Sequence, residues 1–220
     1  MVWVKSEDCY KLKFRLNLGP VERGRRVEPD INEESIMNME TMTRRDLLGL
    51  NCQYYNPAGL GVLLVMTLRI IQSKICNSAT ARITKVLGDE ETGAIKRAVG
   101  EMIRGRDITF PRQIMFEKEA DIVICFDRSL DAYGAAAYCV HKDRANLLTS
   151  AGKVIGKGKY TAPKAEMAGA ILAMRMMRKI KSELTNVNKI RFRFAGDSEI
   201  RLRIVPAGSQ GGWSISLKPG

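Results

Sequence analysis

Apolar and polar positions alternate early in the chain. Tyr10, Leu12, Phe14, Leu16 and Leu18 fall on one side, and Lys11, Lys13 and Arg15 on the other. A period of two predicts a strand within residues 1–18. "GPVERGRRVEPD" (19–30) breaks the pattern with Gly, Pro and charge, and predicts an exposed loop. A helical pattern follows from Thr43, a residue able to cap it, and Asn56-Pro57-Ala58-Gly59 interrupts it. A second helix is predicted from about Leu60 to Ile75. Residues 77–107 are polar and only weakly helical in pattern, as in "EETGAIKRAVGEMI".

From about residue 108 the pattern changes. "ADIVICFD" (120–127) is an unbroken apolar run and predicts a buried strand that stops on a carboxylate. "AYGAAAYCVH" (132–141) and "ANLLTSAGKVIG" (145–156) predict two more strands. "APKAEMAGAILAMRMMRKIKSEL" (162–184) is a long helix with Pro163 in its first turn. Met167, Ile171, Met174, Met177, Ile180 and Leu184 recur every three or four residues and predict its buried stripe. "NKIRFRFAGD" (188–197) alternates again, with Ile190, Phe192 and Phe194 against Arg191 and Arg193. The order strand, strand, strand, helix, strand gives an α/β fold with a mixed sheet, preceded by a mainly helical region. After Glu199 the pattern dissolves: "IRLRIVPAGSQGGWSISLKPG" predicts no amphipathic helix and no further strand, so the sheet reads as C-terminally incomplete.

Composition adds a partner class. The 220 residues carry a formal net charge of +12, which favours a polyanion such as nucleic acid. No stretch reaches the roughly 18 consecutive apolar residues of a membrane span, and the N-terminus lacks the apolar centre of a signal peptide. Five cysteines form no C-x-x-C pair and there is one histidine, so a zinc site is not expected. Reduced, mostly buried thiols fit a cytoplasmic or nuclear protein that is not secreted.

Three acids occupy comparable places. Asp127 ends the first strand of the second half, Glu166 lies in the first turn of the helix, and Asp197 ends the strand after it. If that last strand lies parallel beside the first, joined through the helix, both aspartates emerge at one sheet edge, the edge where α/β sheets bind ligands. Clustered carboxylates repel one another, and divalent cations relieve the conflict. Oxygen-rich sets suit Mg²⁺ or Mn²⁺, and two such ions serve phosphodiester hydrolysis. Taken singly, each acid reads as a solvated strand end or a helix-dipole partner, and it is the three in this order that point to a site. Asp131 reads as a turn residue, and His141 as the end of a strand. Lys153, Lys157 and Lys159 in "GKVIGKGKY" are candidate phosphate contacts, although the spacing is not that of a P-loop. No D-[ST]-G motif supports an aspartic peptidase.

The motifs "FDRSLDAYGAAAY" (126–138), "TAPKAEMAGAIL" (161–172) and "FAGDSE" (194–199) resemble the ribonuclease H region of BEL/Pao-type retrotransposon polyproteins. The pattern there is roughly F-x-D-x-S-x-x-A-Y-G-A, then T-x-P-x-x-E-L, then a strand ending in D-S. "MTRRDLLGLNCQYYNPAGL" (42–60) is similar to the family's segment downstream of the polymerase palm, and "RGRRVEPD" (23–30) and "ITFPRQI" (108–114) fit the same source. The resemblance spans about residues 3–205. It implies a remnant of the reverse transcriptase thumb or connection region over 1–107, a ribonuclease H-like domain over 108–205, and a divergent, poorly ordered tail over 206–220. It implies catalytic and metal-holding roles for Asp127, Glu166 and Asp197, with two Mg²⁺ or Mn²⁺ ions as cofactors. The implied partners are an RNA–DNA hybrid or other nucleic acid, and the rest of a retroelement polyprotein.

The sequence departs from that family in four respects. No Tyr-x-Asp-Asp polymerase site is present, Asn56 and Ala58 replace the Asp and Leu of D-P-L-G, no Trp occurs between Trp3 and Trp213, and no fourth acid follows Glu199 in the expected context. Two expectations therefore stand together: a two-metal nuclease acting on the RNA of hybrids, and a non-catalytic remnant that binds nucleic acid.

Overall fold

The structure is a computed structural model that describes residues 2–12, 21–22, 25–26, 33–52, 56, 58–76, 82–114, 119–141, 144–156, 160–185, 187–196, 202–207 and 212–217. The N-terminal alternation yields two short antiparallel strands, β1 (Val2–Val4) and β2 (Cys9–Lys11), in place of one long one. The charged segment expected to be a loop contains a two-residue ladder, β3 (Val21–Glu22) with β4 (Arg25–Arg26).

Four helices build the first core: α1 (Glu33–Met37), α2 (Arg44–Cys52), α3 (Val62–Cys76) and α4 (Asp89–Arg104). Thr43 caps α2 as its chemistry predicts. Its hydroxyl accepts the Asp46 N–H at 3.3 Å, and the Asp46 carboxylate accepts the Thr43 N–H at 2.8 Å. The weak helical pattern after residue 77 becomes a sixteen-residue helix. Thr92, Ile95, Val99, Met102 and Ile103 are buried on one face of α4, and its charges face water. Three acids in its first turn complement the helix dipole, and Glu91 accepts the N–H of Gly88 at 3.1 Å. The strong polarity of the rest of the segment had masked this face. Helix α3 is apolar on two sides. Val65, Leu68 and Ile75 enter the helical core beside Leu47 and Leu50, while Val62, Met66 and Ile70, four residues apart, face the sheet.

After a 3-10 turn (Gly105–Asp107), β5 (Thr109–Pro111) pairs with β2. The main sheet then forms from β6 (Glu119–Arg128), β7 (Ala132–His141) and β8 (Arg144–Val154), followed by α5 (Ala162–Glu183) and β9 (Lys189–Ala195). Its order is β8-β7-β6-β9; β6–β7 and β7–β8 are antiparallel and β6–β9 is parallel. This is the mixed α/β sheet expected, with α5 making the crossover.

Burial differs from the sequence reading at two places. The run "ADIVICFD" is buried on one face only: Ile122, Ile124 and Phe126 are buried, whereas Cys125 and Asp127 are exposed. Exposure of Cys125 and Cys52 also corrects the expectation of mostly buried thiols, although all five cysteines are free. Helix α5 buries only the later part of its expected stripe: Met177 and Ile180 are buried, whereas Met167 is 47% and Ile171 40% exposed. The buried face is Ala165, Gly169, Ala170, Ala173, Met176, Met177 and Ile180. The partner surface decides this, because Ala135 and Ala137 of β7 leave room for close approach only by small side chains. Finally, the C-terminal segment contains a hairpin, β10 (Leu202–Ala207) with β11 (Gly212–Leu217), where no strand was expected. Its register pairs Leu202 with Leu217, Ile204 with Ile215 and Pro206 with Trp213, positions two apart along each strand.

Candidate active site

The site is built from the C-terminal end of β6 outward. Strand β6 lies between β7 and β9, and its register with β9 ends with Cys125 opposite Ala195. Asp127, two residues past Cys125 on β6, is exposed and opposite Gly134 of β7. Its Oδ1 accepts the N–H of Arg128 at 2.6 Å. Ser129 turns the chain back into β7: its hydroxyl accepts the N–H of Ala132 at 3.0 Å and that of Asp131 at 3.3 Å. Asp131 is the turn residue it was read as, and it is paired with Lys74 of α3 at 2.6 Å. His141 closes β7 and is exposed.

The start of α5 is brought to the same edge by glycine. A Cβ on Gly169 would stand 3.6 Å from the Asp127 carbonyl oxygen and 4.0 Å from that of Gly134. Glu166, half-buried, is three residues earlier and so one turn nearer the edge on the same side of the helix. At the end of β9, a Cβ on Gly196 would come within 2.9 Å of the Phe126 ring, so this position accepts no side chain without moving the ring. Asp197 and two of the candidate phosphate contacts, Lys157 and Lys159, lie outside the described residues. Lys153 is exposed on β8 opposite Tyr133.

Alternation along β6 places Asp127 on the face opposite the one where Phe126 meets α5. With Cys125, Gly134 and Ala136 it lines a cavity of about 390 Å³ closed on the far side by Val62, Leu63 and Met66 of α3. Sequence reasoning missed this second wall; the four-residue spacing of Val62, Met66 and Ile70 was its signal. The elements carrying Asp127 and Glu166 thus share an edge, but the two carboxylates approach it from opposite faces.

The acids at the opposite end of β6 are paired with cations. Arg191 binds Asp121 through two hydrogen bonds of 2.6 and 3.1 Å, which hold the Asp121 carboxyl below its ordinary range. Neither Asp127 nor Glu166 has a cation partner among the described residues. Free carboxylate oxygens are the donor type that suits Mg²⁺ or Mn²⁺. Among the described residues no three acids, cysteines or histidines are gathered closely enough to hold an ion. No helix among the described residues is long and apolar enough to cross a membrane.

A family model described as the Pao retrotransposon-like RNaseH-like domain matches residues 43–198. That span is well over half of the chain, and the chain belongs to this family: it carries the ribonuclease H-like domain of a retroelement polyprotein. Solved structures similar to it include foamy viral protease-reverse transcriptase in complex with dsDNA, at 15% identity and a TM-score of 0.46, over 76% of this chain and 33% of that one. A dRH form of that protein with ds DNA matches at 16% and 0.43, over 74% and 27%. The complex with RNA/DNA hybrid matches at 16% and 0.41, over 74% and 21%. The chain therefore spans a third or less of the length of these neighbours. No curated protein matches it.

Proposed function

We propose that the edge formed by β6, β9 and the first turn of α5 is a ribonuclease H-type nuclease site acting on the RNA strand of RNA–DNA hybrids. One observation carries this reading: β6 and β9 are adjacent, parallel and joined through α5, so β9 ends at the same sheet edge as β6, where Asp127 and the first turn of α5 stand. Asp127, Glu166 and Asp197 would hold two divalent ions, which supply activation of a water and stabilisation of the leaving oxygen. The chain's own part is to fix the donors. The sheet holds Asp127, Gly169 lets the helix bring Glu166 close, and Gly196 lets the end of β9 pass the Phe126 ring. The helical half, residues 1–107, serves in this reading as the connection region of the parent reverse transcriptase.

A second reading has its own support. Asp127 opens toward α3 and Glu166 comes from the α5 side, which favours a domain that retains the fold and nucleic-acid affinity without turnover. Labelled RNA–DNA hybrid incubated with Mg²⁺ and the full chain separates the two, beside Asp127→Asn. Cleavage that the substitution reduces by about a hundredfold or more supports the nuclease. Hybrid bound but left intact by the unsubstituted chain overturns it in favour of the binding remnant.

A further inference from the structure

A group of unpaired positive charges lies away from the candidate edge, around the outer side of β8. Arg69 of α3 and Arg175 and Lys179 of α5 line one cavity of about 420 Å³ with Thr149 and Gly152 of β8, and no acidic residue lines it. All three cations are exposed, and none has a carboxylate partner among the described residues. Other cations differ: Lys74, Arg112, Lys189, Arg191 and Arg193 each face an acid. Asn56 lines the same cavity, and its side-chain Nδ2 and Oδ1 are withdrawn from solvent without a hydrogen-bond partner. A buried amide left unsatisfied is costly, and such groups are normally completed by water or ligand. Strand β8 is an edge strand that pairs only with β7 in this sheet, so its outer backbone row borders the cavity.

We infer that this cleft binds the phosphate groups of a nucleic-acid backbone. Two guanidinium forks match phosphate oxygens in pairs, and an ammonium adds charge without demanding direction. A neutral amide and a hydroxyl complete the donors, and the absence of acids leaves nothing to repel an anion. The register places the cleft relative to the edge: Gly152 pairs with Gly134, which pairs with Asp127. Two inter-strand steps are roughly 10 Å, so a backbone held at β8 passes within a few nucleotides of Asp127. The inference concerns binding and holds whether or not the edge hydrolyses anything.

Binding of a labelled RNA–DNA hybrid to the full chain, measured by anisotropy in EDTA across a salt series, tests it with cleavage suppressed. Arg69→Glu, Arg175→Glu and Lys179→Glu together are expected to weaken binding at least tenfold and to lower the salt slope by about two to three. The control is Lys85→Glu, Arg97→Glu and Arg104→Glu, three exposed positions in the helical half with the same change in net charge. Equal losses in the two variants overturn the inference, because net charge alone would then explain them. The triple Gln variant provides the same comparison if charge reversal lowers the melting temperature. Displacement of hybrid by inorganic phosphate at the same phosphate concentration as unlabelled single-stranded DNA overturns the assignment to nucleic acid.

Discussion

On one face of the sheet, Ala135, Ala137, Gly169, Ala170 and Ala173 let α5 settle close against β6 and β7. On the other, Val62, Met66 and Ile70 hold α3 at a distance that leaves a cavity of about 390 Å³. The same strand thus presents fully buried Ile122 and Ile124 one way and exposed Cys125 and Asp127 the other. The difference separates two tasks. The α5 face supplies packing, and the α3 face leaves room beside the strand end where the candidate acid stands. Close contact on the α3 side occurs at the turn before α3, where the Ser150 hydroxyl donates to the carbonyl of Gly59, and at Gly152, which lies against Val62 and Met66.

Adjacent residues of β6 give the sharpest test of that contrast. Ile124→Ala is expected to lower unfolding stability by about 3 to 4 kcal/mol, and Cys125→Ala by no more than about 0.5 kcal/mol, both read from urea denaturation. Equal costs would mean that the α3 face is packed as tightly as its opposite.

Two glycines should respond with opposite signs. Gly59 has φ +73°, and a Cβ there would lie 2.2 Å from the Ser150 carbonyl oxygen. Gly59→Ala is expected to cost about 2 to 3 kcal/mol, combining left-handed strain with a clash against backbone. Gly169 is helical, and a Cβ there meets its neighbours at ordinary contact distance, 3.6 Å or more. Gly169→Ala should be neutral or stabilise by up to about 1 kcal/mol through helix propensity. A large loss at Gly169 would show that α5 sits closer to the sheet than its Cα positions require.

The smallest effect is electrostatic. Arg191 lowers the Asp121 pKa below its ordinary value of 3.8. A carboxyl whose folded pKa is depressed contributes its full stability above the unfolded value and loses it as pH falls through the folded one. Asp121→Asn should therefore leave a shallower stability profile below about pH 4. The difference should shrink in high salt, because the pair is at the surface. A profile unchanged by the substitution would show that Arg191 is not held there in solution.

Much of this contrast could be read from the chain in advance. Strand β7 spans the ten residues expected from "AYGAAAYCVH", and α5 starts and stops within a residue of its pattern. Asp127 stood out because a carboxylate ends an apolar run. Which side of α5 is buried was legible at Met177 and Ile180 but not in its first half. Hydrophobicity points to Met167 and Ile171, whereas the sheet selects for small volume, a property of the partner surface and not of the helix. The α4 face was obscured by its dense charge, and β10–β11 by the residues that break its alternation. Arg69 and Arg175 are more than a hundred residues apart, so no local spacing could have grouped them.

The parallel pairing of β6 with β9 has a consequence in time. Glu119 finds its partner Lys189 seventy residues later, so the central strand is made long before its neighbour exists. During synthesis at about 5–20 residues per second, the open side of β6 waits roughly 4 to 14 seconds for β9. Until then β6, β7 and β8 form a three-stranded meander of local contacts with a bare inner edge. Within the main sheet, the slow step of folding is therefore expected to be the arrival of α5 and β9 as a unit, since this pairing closes a longer loop than the two hairpin-connected pairs. Any partner that captures a free strand edge has that interval in which to act, and none once Ala195 has closed against Cys125.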